Sequence, residues 1–160
     1  MNNGLNKSQQ RFSRSMNGKY VPDLSRLQAT CDVNYARLLK LLPDFDNDSL
    51  IYQFDNGHGL AYEVKITECS RYTTTIELLQ KNQGMPEYLQ PTMQVRLYHD
   101  VRMAEVLQTQ HVKVAQGSYD YPNRDMHQPN EKELVNLFLT EWIHFCQQHL
   151  QSRQQNQRTN

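Results

Sequence analysis

Cysteine is scarce in this 160-residue chain: Cys31, Cys69 and Cys146 are odd in number and far apart, with no Cys-x-x-Cys pair. That spacing excludes a disulfide framework and a structural zinc site, and it fits a reducing compartment. Long apolar runs are missing too, and none approaches the ~18 residues a membrane helix needs. Lys7, Arg11 and Arg14 near the N-terminus are followed by no apolar stretch, so no secretory leader is expected. The chain carries no Walker loop, no GxGxxG, no GxSxG and no HExxH. A P-loop or a dinucleotide-binding fold would show its glycines. The expectation is a cytoplasmic protein with no cofactor, no metal and no membrane partner.

What is present is unevenly spread. Hydrophobic residues make up 38% of the chain, enough for one modest core, while mean hydropathy is low at −0.82. The polarity gathers at the ends. Residues 1–19 and 151–160 hold almost no large apolar side chains, so both read as disordered tails around a single domain at 20–150. The tails carry six of the 17 basic residues and none of the 17 acidic ones, which leaves residues 20–150 with a net charge of −6. An acidic core argues against nucleic acid as a partner, because phosphate contacts dominate that affinity.

Pattern places the elements. Asp23 is positioned to cap a helix in which Leu24, Leu27, Cys31, Tyr35, Leu38 and Leu42 form an apolar stripe that ends at Pro43. Residues 50–54 read as a strand turning at Asn56-Gly57, a tight-hairpin signal. In the returning strand Leu60, Tyr62, Val64 and Ile66 face one way, and Glu63, Lys65 and Thr67 the other. Residues 71–79, 92–98 and 102–109 extend the series, with a possible short strand at 111–115. Asn130 and Glu133 form a capping box for a last helix around Trp142. The fold class is α+β: an antiparallel sheet of four to six strands with the N- and C-terminal helices packed on one face. A partly closed barrel with a helix across its mouth is the runner-up.

Candidate functional residues form loose groups. Arg96-Leu97-Tyr98-His99-Asp100 is the densest, with Arg96 and Tyr98 on one strand face and His99 on the other. An arginine beside an aromatic can clamp an anion and stack on a ring, although a cross-strand ion pair is the commoner role. His127 and Glu131 stand at the entry to the last helix; two ligands do not make a metal site, since even a catalytic zinc needs three. Tyr119-Asp120-Tyr121-Pro122-Asn123 could line a pocket or cover a core edge.

Several of these segments also resemble one family. Arg71-Tyr72-Thr73-Thr74, residues 93–100 (MQVRLYHD), Ala104-Glu105-Val106, residues 119–123 (YDYPN) and the His127 to Lys132 stretch are similar to the YqiB-like family of uncharacterised proteobacterial proteins. The resemblance runs from about Tyr20 to His149 and brings no activity, cofactor or catalytic residue with it.

Three functions therefore stand side by side. The first is a non-catalytic binding or adaptor module for a protein or a small anionic ligand, with Arg96, Tyr98, His99, Asp100, Tyr121, Asn123 and His127 as binding residues. The second is a small hydrolase or transferase using Arg96, His99, Asp100 and His127 on a nucleotide-like substrate. The third is a weak RNA-binding domain built on Arg71, Tyr72, Arg96 and Tyr98. Convergence of Arg96, Tyr98, Asp100 and His127 in one concave pocket would favour a site there.

Overall fold

The computed structural model describes residues 21–44, 50–114, 117–118, 121–122 and 130–158. Helix α1 (Leu24–Leu41) starts where Asp23 accepts the Arg26 N–H at 3.0 Å, and Leu42 closes it through a bond to the Leu38 carbonyl just before Pro43. Strands β1 (Ile51–Asp55), β2 (Leu60–Cys69), β3 (Thr73–Asn82), β4 (Thr92–Tyr98) and β5 (Met103–Gln110) form one antiparallel sheet in sequence order. A short hairpin, β6 (Lys113–Val114) with β7 (Gly117–Ser118), and helix α2 (Glu131–Arg158) follow. The fold is α+β, an open meander rather than a barrel. Helix α2 continues beyond residue 150, where composition places the end of the folded domain; residues 1–19 lie outside the described residues.

Both helices cover the same sheet face. Tyr62, Val64, Ile66, Ile76, Leu78, Met93, Val95 and Leu97 point into the core from the strands. They meet Leu38 and Leu41 of α1 with its capping residue Leu42, and Val135, Leu139, Trp142 and Ile143 of α2. This is the burial that alternating strands and one-sided helices require. The stripe of α1 does not hold along its whole length. Its first turn lies beside the first turn of α2 at the β5 edge of the sheet, joined to α2 by the Arg26–Glu133 ion pair, and Leu24 stays 71% exposed.

Two turns depart from the sequence expectation. The β1–β2 connection spans residues 56–59 instead of two residues. The Asp55 and Asn56 carboxyl and amide oxygens capture the N–H groups of Gly57, His58 and Leu60, while Gly57 and Gly59 supply positive φ angles of 73° and 87°. Side-chain capture of this kind competes with a two-residue turn. Strand β3 starts at Thr73 rather than at Arg71, because Ser70 bonds the Thr73 carbonyl through both its N–H and its hydroxyl. Arg71 and Tyr72 therefore sit in the turn.

A polar lock lies between the helices. Asn34 and Asn136 are fully buried. The Asn34 amide donates to the Asn136 carbonyl at 2.9 Å, and the Thr140 hydroxyl donates to Asn34 Oδ1 at 2.8 Å. The Asn136 side chain accepts the Val106 N–H at 3.1 Å and donates to the Lys132 carbonyl at 2.8 Å. Val106 belongs to β5, at one side of the sheet, so α2 satisfies a donor of an edge strand.

The buried thiols set a pH limit. Burial, with help from the charge on Glu105, pushes Cys31 up to about 11, and burial pushes Cys146 up to about 12. The unfolded chain ionises these groups near their ordinary value of 9.0, whereas the folded chain holds them neutral. Their contribution to stability is thus complete below pH 9.0 and lost as pH rises through 11 to 12. The urea midpoint is expected to fall steadily above pH 9.0, and a flat profile across that window would contradict the burial of both thiols.

Candidate functional site

Among the described residues, those singled out by sequence do not come together. Strand β4 turns Arg96 and Tyr98 to the uncovered face of the sheet, away from the helices. There Arg96 Nε donates to the Thr75 hydroxyl at 3.2 Å and its guanidinium meets Glu68 at 3.4 Å. Glu68 arrives by a bulge in β2: Ile66 faces Ile76 while Glu68 faces Thr75, so the extra residue Thr67 shifts Glu68 out of the core-facing series. With side chains 35% and 60% exposed, this ion pair is of the weak surface kind. Arg96→Ala is expected to cost no more than about 1 kcal/mol in urea unfolding. A loss well beyond that would give Arg96 a structural weight its exposure does not suggest.

His99 turns the other way. Its Nδ1 lies 3.1 Å from the Tyr35 hydroxyl and its Nε2 lies 2.9 Å from the Thr74 hydroxyl, tying α1 to the ends of β3 and β4. Asp100 is exposed in the β4–β5 turn. Tyr121 is at the opposite end of the sheet, where its backbone bridges Thr109. Asn123 and His127 lie outside the described residues. Among the described residues, no group of three His, Cys, Asp or Glu side chains is placed to hold a metal ion.

A cleft of about 690 Å³ does form, elsewhere. Helix α2 supplies one wall with Phe138, Trp142 and Phe145; the β3–β4 connection supplies the other with Met85, Leu89 and Pro91. A short 3-10 turn at Glu87–Leu89 carries Leu89 at the lip, 43% exposed, with Tyr88 next to it in the turn 77% exposed. His111 and Val112 close the end next to β5, and His111 has the left-handed φ of 54° that non-glycine residues seldom adopt.

The floor is polar. The Tyr62 hydroxyl donates to Gln80 Oε1 at 3.2 Å, and Gln80 Nε2 donates to Asn82 Oδ1 at 3.1 Å. The Tyr62 ring packs 4.9 Å from Trp142 and 4.7 Å, edge-on, from Phe145, which in turn stacks on His149 at 4.0 Å. Burial, then the charges of Cys146 and Glu141, push the Tyr62 hydroxyl up to about 12, so it remains a neutral donor. The volume falls inside the roughly 300–1,000 Å³ typical of ligand pockets, and apolar walls with a few placed polar groups are the usual composition.

Comparison with known proteins adds a family. The model for a "Protein of unknown function (DUF1249)" matches residues 37–152, most of the chain. The chain belongs to this family. The DUF1249 match takes in the five strands and every residue of the cleft. The relatives include "Uncharacterized protein YqiB" of Escherichia coli strain K12, 36% identical over 133 residues, or 82% of this chain and 93% of the relative. The proteins of that name in strains CFT073 and O157:H7 match to the same extent. No solved structure matches significantly.

The sequence marks Tyr62 only as one residue of an alternating strand face and gives His111 and Glu141 no functional role. One signal was available. Phe138, Trp142 and Phe145 recur at helical spacing, which marks a broad aromatic face. What the spacing does not say is that Phe138 and Phe145 flank the buried stripe and face a loop some 50 residues earlier in sequence.

Proposed function

We propose that this protein is a non-catalytic binding module that seats part of a protein partner in the cleft between α2 and the β3–β4 connection. The cleft itself carries this reading: aromatic walls, a fixed polar floor and an exposed apolar lip offer shape and contact area. The groups best suited to chemistry are engaged elsewhere. Arg96 is paired with Glu68, His99 bridges two hydroxyls, and Lys81 and Lys132 are paired with Glu63 and Glu105. The lining offers Glu141 and, among the described residues, no lysine or arginine, which favours a protein segment over a small anion.

Site-directed photo-crosslinking tests the proposal. A photoreactive amino acid at Leu89 is expected to give a discrete cross-linked species that disappears when Met85→Glu is added. The same probe at Lys65, on the uncovered face of the sheet, is expected to give none. Equal yields at both positions, or none at Leu89, would remove the cleft as the docking surface. No helix among the described residues is long and apolar enough to cross a membrane.

A further inference from the structure

We infer that the cleft takes one large apolar side chain of a partner protein together with a neighbouring peptide carbonyl, from a stretch that is basic or neutral. This rests on the cleft being the docking surface and adds the chemistry of what docks. The floor decides the carbonyl. Along it the Gln80 and Asn82 side-chain oxygens are both taken by internal donors, while each amide keeps a second N–H. Asn82 Nδ2 reaches only the Met85 sulfur, at 3.7 Å, a weak acceptor. The floor therefore presents amide N–H groups to the cleft, and half-buried donors are satisfied by an occupant that brings an acceptor.

The charge of the surroundings decides which acceptor. Glu141 stands at the mouth, and Glu87 lies in the same 3-10 turn as the lip residue Leu89. The influence of Glu141 extends inward as far as the Tyr62 hydroxyl. A carboxylate would meet this negative field with no lysine or arginine in the described lining to offset it; a neutral carbonyl would not, and flanking basic residues would be attracted. The acidic balance of residues 20–150 acts in the same direction at longer range.

The lip decides the source. Leu89 on the cleft wall is exposed, as is Tyr88 beside it in the 3-10 turn, and a small molecule bound on the floor would leave much of both bare. A polypeptide crossing the mouth covers them, and exposed aromatic groups beside a pocket are the usual anchors of protein interfaces. Charge complementarity and the uncovered lip together point to a basic protein segment.

Three probes test this on the full chain, read by the Trp142 indole and the Gln80 and Asn82 side-chain amide resonances in NMR. They are acetyl-lysyl-phenylalanyl-lysine amide, its glutamyl counterpart, and ethylbenzene. The lysyl peptide is expected to bind about tenfold more tightly than the glutamyl peptide, with the gap shrinking severalfold in Glu141→Gln. Asn82→Ala is expected to weaken both peptides and leave ethylbenzene unchanged. Equal binding of the two peptides overturns the charge selection while the docking site stands. Ethylbenzene binding more tightly than either peptide overturns the protein occupant in favour of a small apolar one. If no probe moves the cleft resonances, the docking site itself falls.

Discussion

Replacing Asn136 with alanine is expected to cost about 3 kcal/mol of stability, because a buried donor left without its partner loses roughly 1–3 kcal/mol and the vacated space adds to that. The Asn136 side chain is fully buried and is the acceptor for the Val106 N–H of β5. It also receives the Cys31 thiol, at 3.8 Å, and anchors itself on the Lys132 carbonyl. Nothing apolar of similar size can serve the Val106 donor, so Asn136→Leu should be no milder than alanine. Thr140→Val provides the contrast. It removes one hydroxyl from the same network but leaves β5 untouched, and it should cost about 1 kcal/mol. Urea unfolding followed by Trp142 emission measures all three, since that is the sole tryptophan. A cost for alanine under about 1 kcal/mol would mean that water replaces the amide without penalty.

Trp142→Ala should cost about 3–5 kcal/mol, the range for removing a buried aromatic side chain. The ring is 6% exposed and packs against Tyr62, so its loss opens the core beneath the cleft and unseats the hydroxyl that leads the polar floor. Trp142→Phe keeps a ring against Tyr62 and should cost about 1–2 kcal/mol. Circular dichroism reads both melts, with the alanine variant expected on the order of 10 °C below the parent. Equal midpoints for the two variants would show that the ring packs on the cleft wall alone and not into the core.

Much of the fold is legible in the residues because local rules and global packing agree. Strand β4 keeps strict alternation from Thr92 to Tyr98, and those are its ends in the structure. Asp23 announces α1 and caps it as expected. The sheet surprises where one residue breaks the period: the bulge at Thr67 leaves no mark in composition, yet it sends Glu68 to the face where Arg96 waits. The site was less legible for a different reason. The partners of His99 lie 64 and 25 residues away, and the cleft joins a loop, a strand end and a helix that share no sequence pattern. Periodicity says which side of an element is apolar. It does not say which apolar side remains uncovered once the elements have packed.

The lock between Asn34 and Asn136 also has a bearing on synthesis. Its two halves are 102 residues apart, so a ribosome delivers α1 well before its counterpart. Until α2 has emerged, Asn34 has no helix to bond and the Val106 N–H on the border of the sheet is open to any passing strand. The nascent chain is then at its most vulnerable to association with its neighbours, and only the arrival of α2 ends that exposure. Messages truncated between β5 and α2 should accordingly yield polypeptides that aggregate or are degraded, even though every strand of the main sheet has already been made.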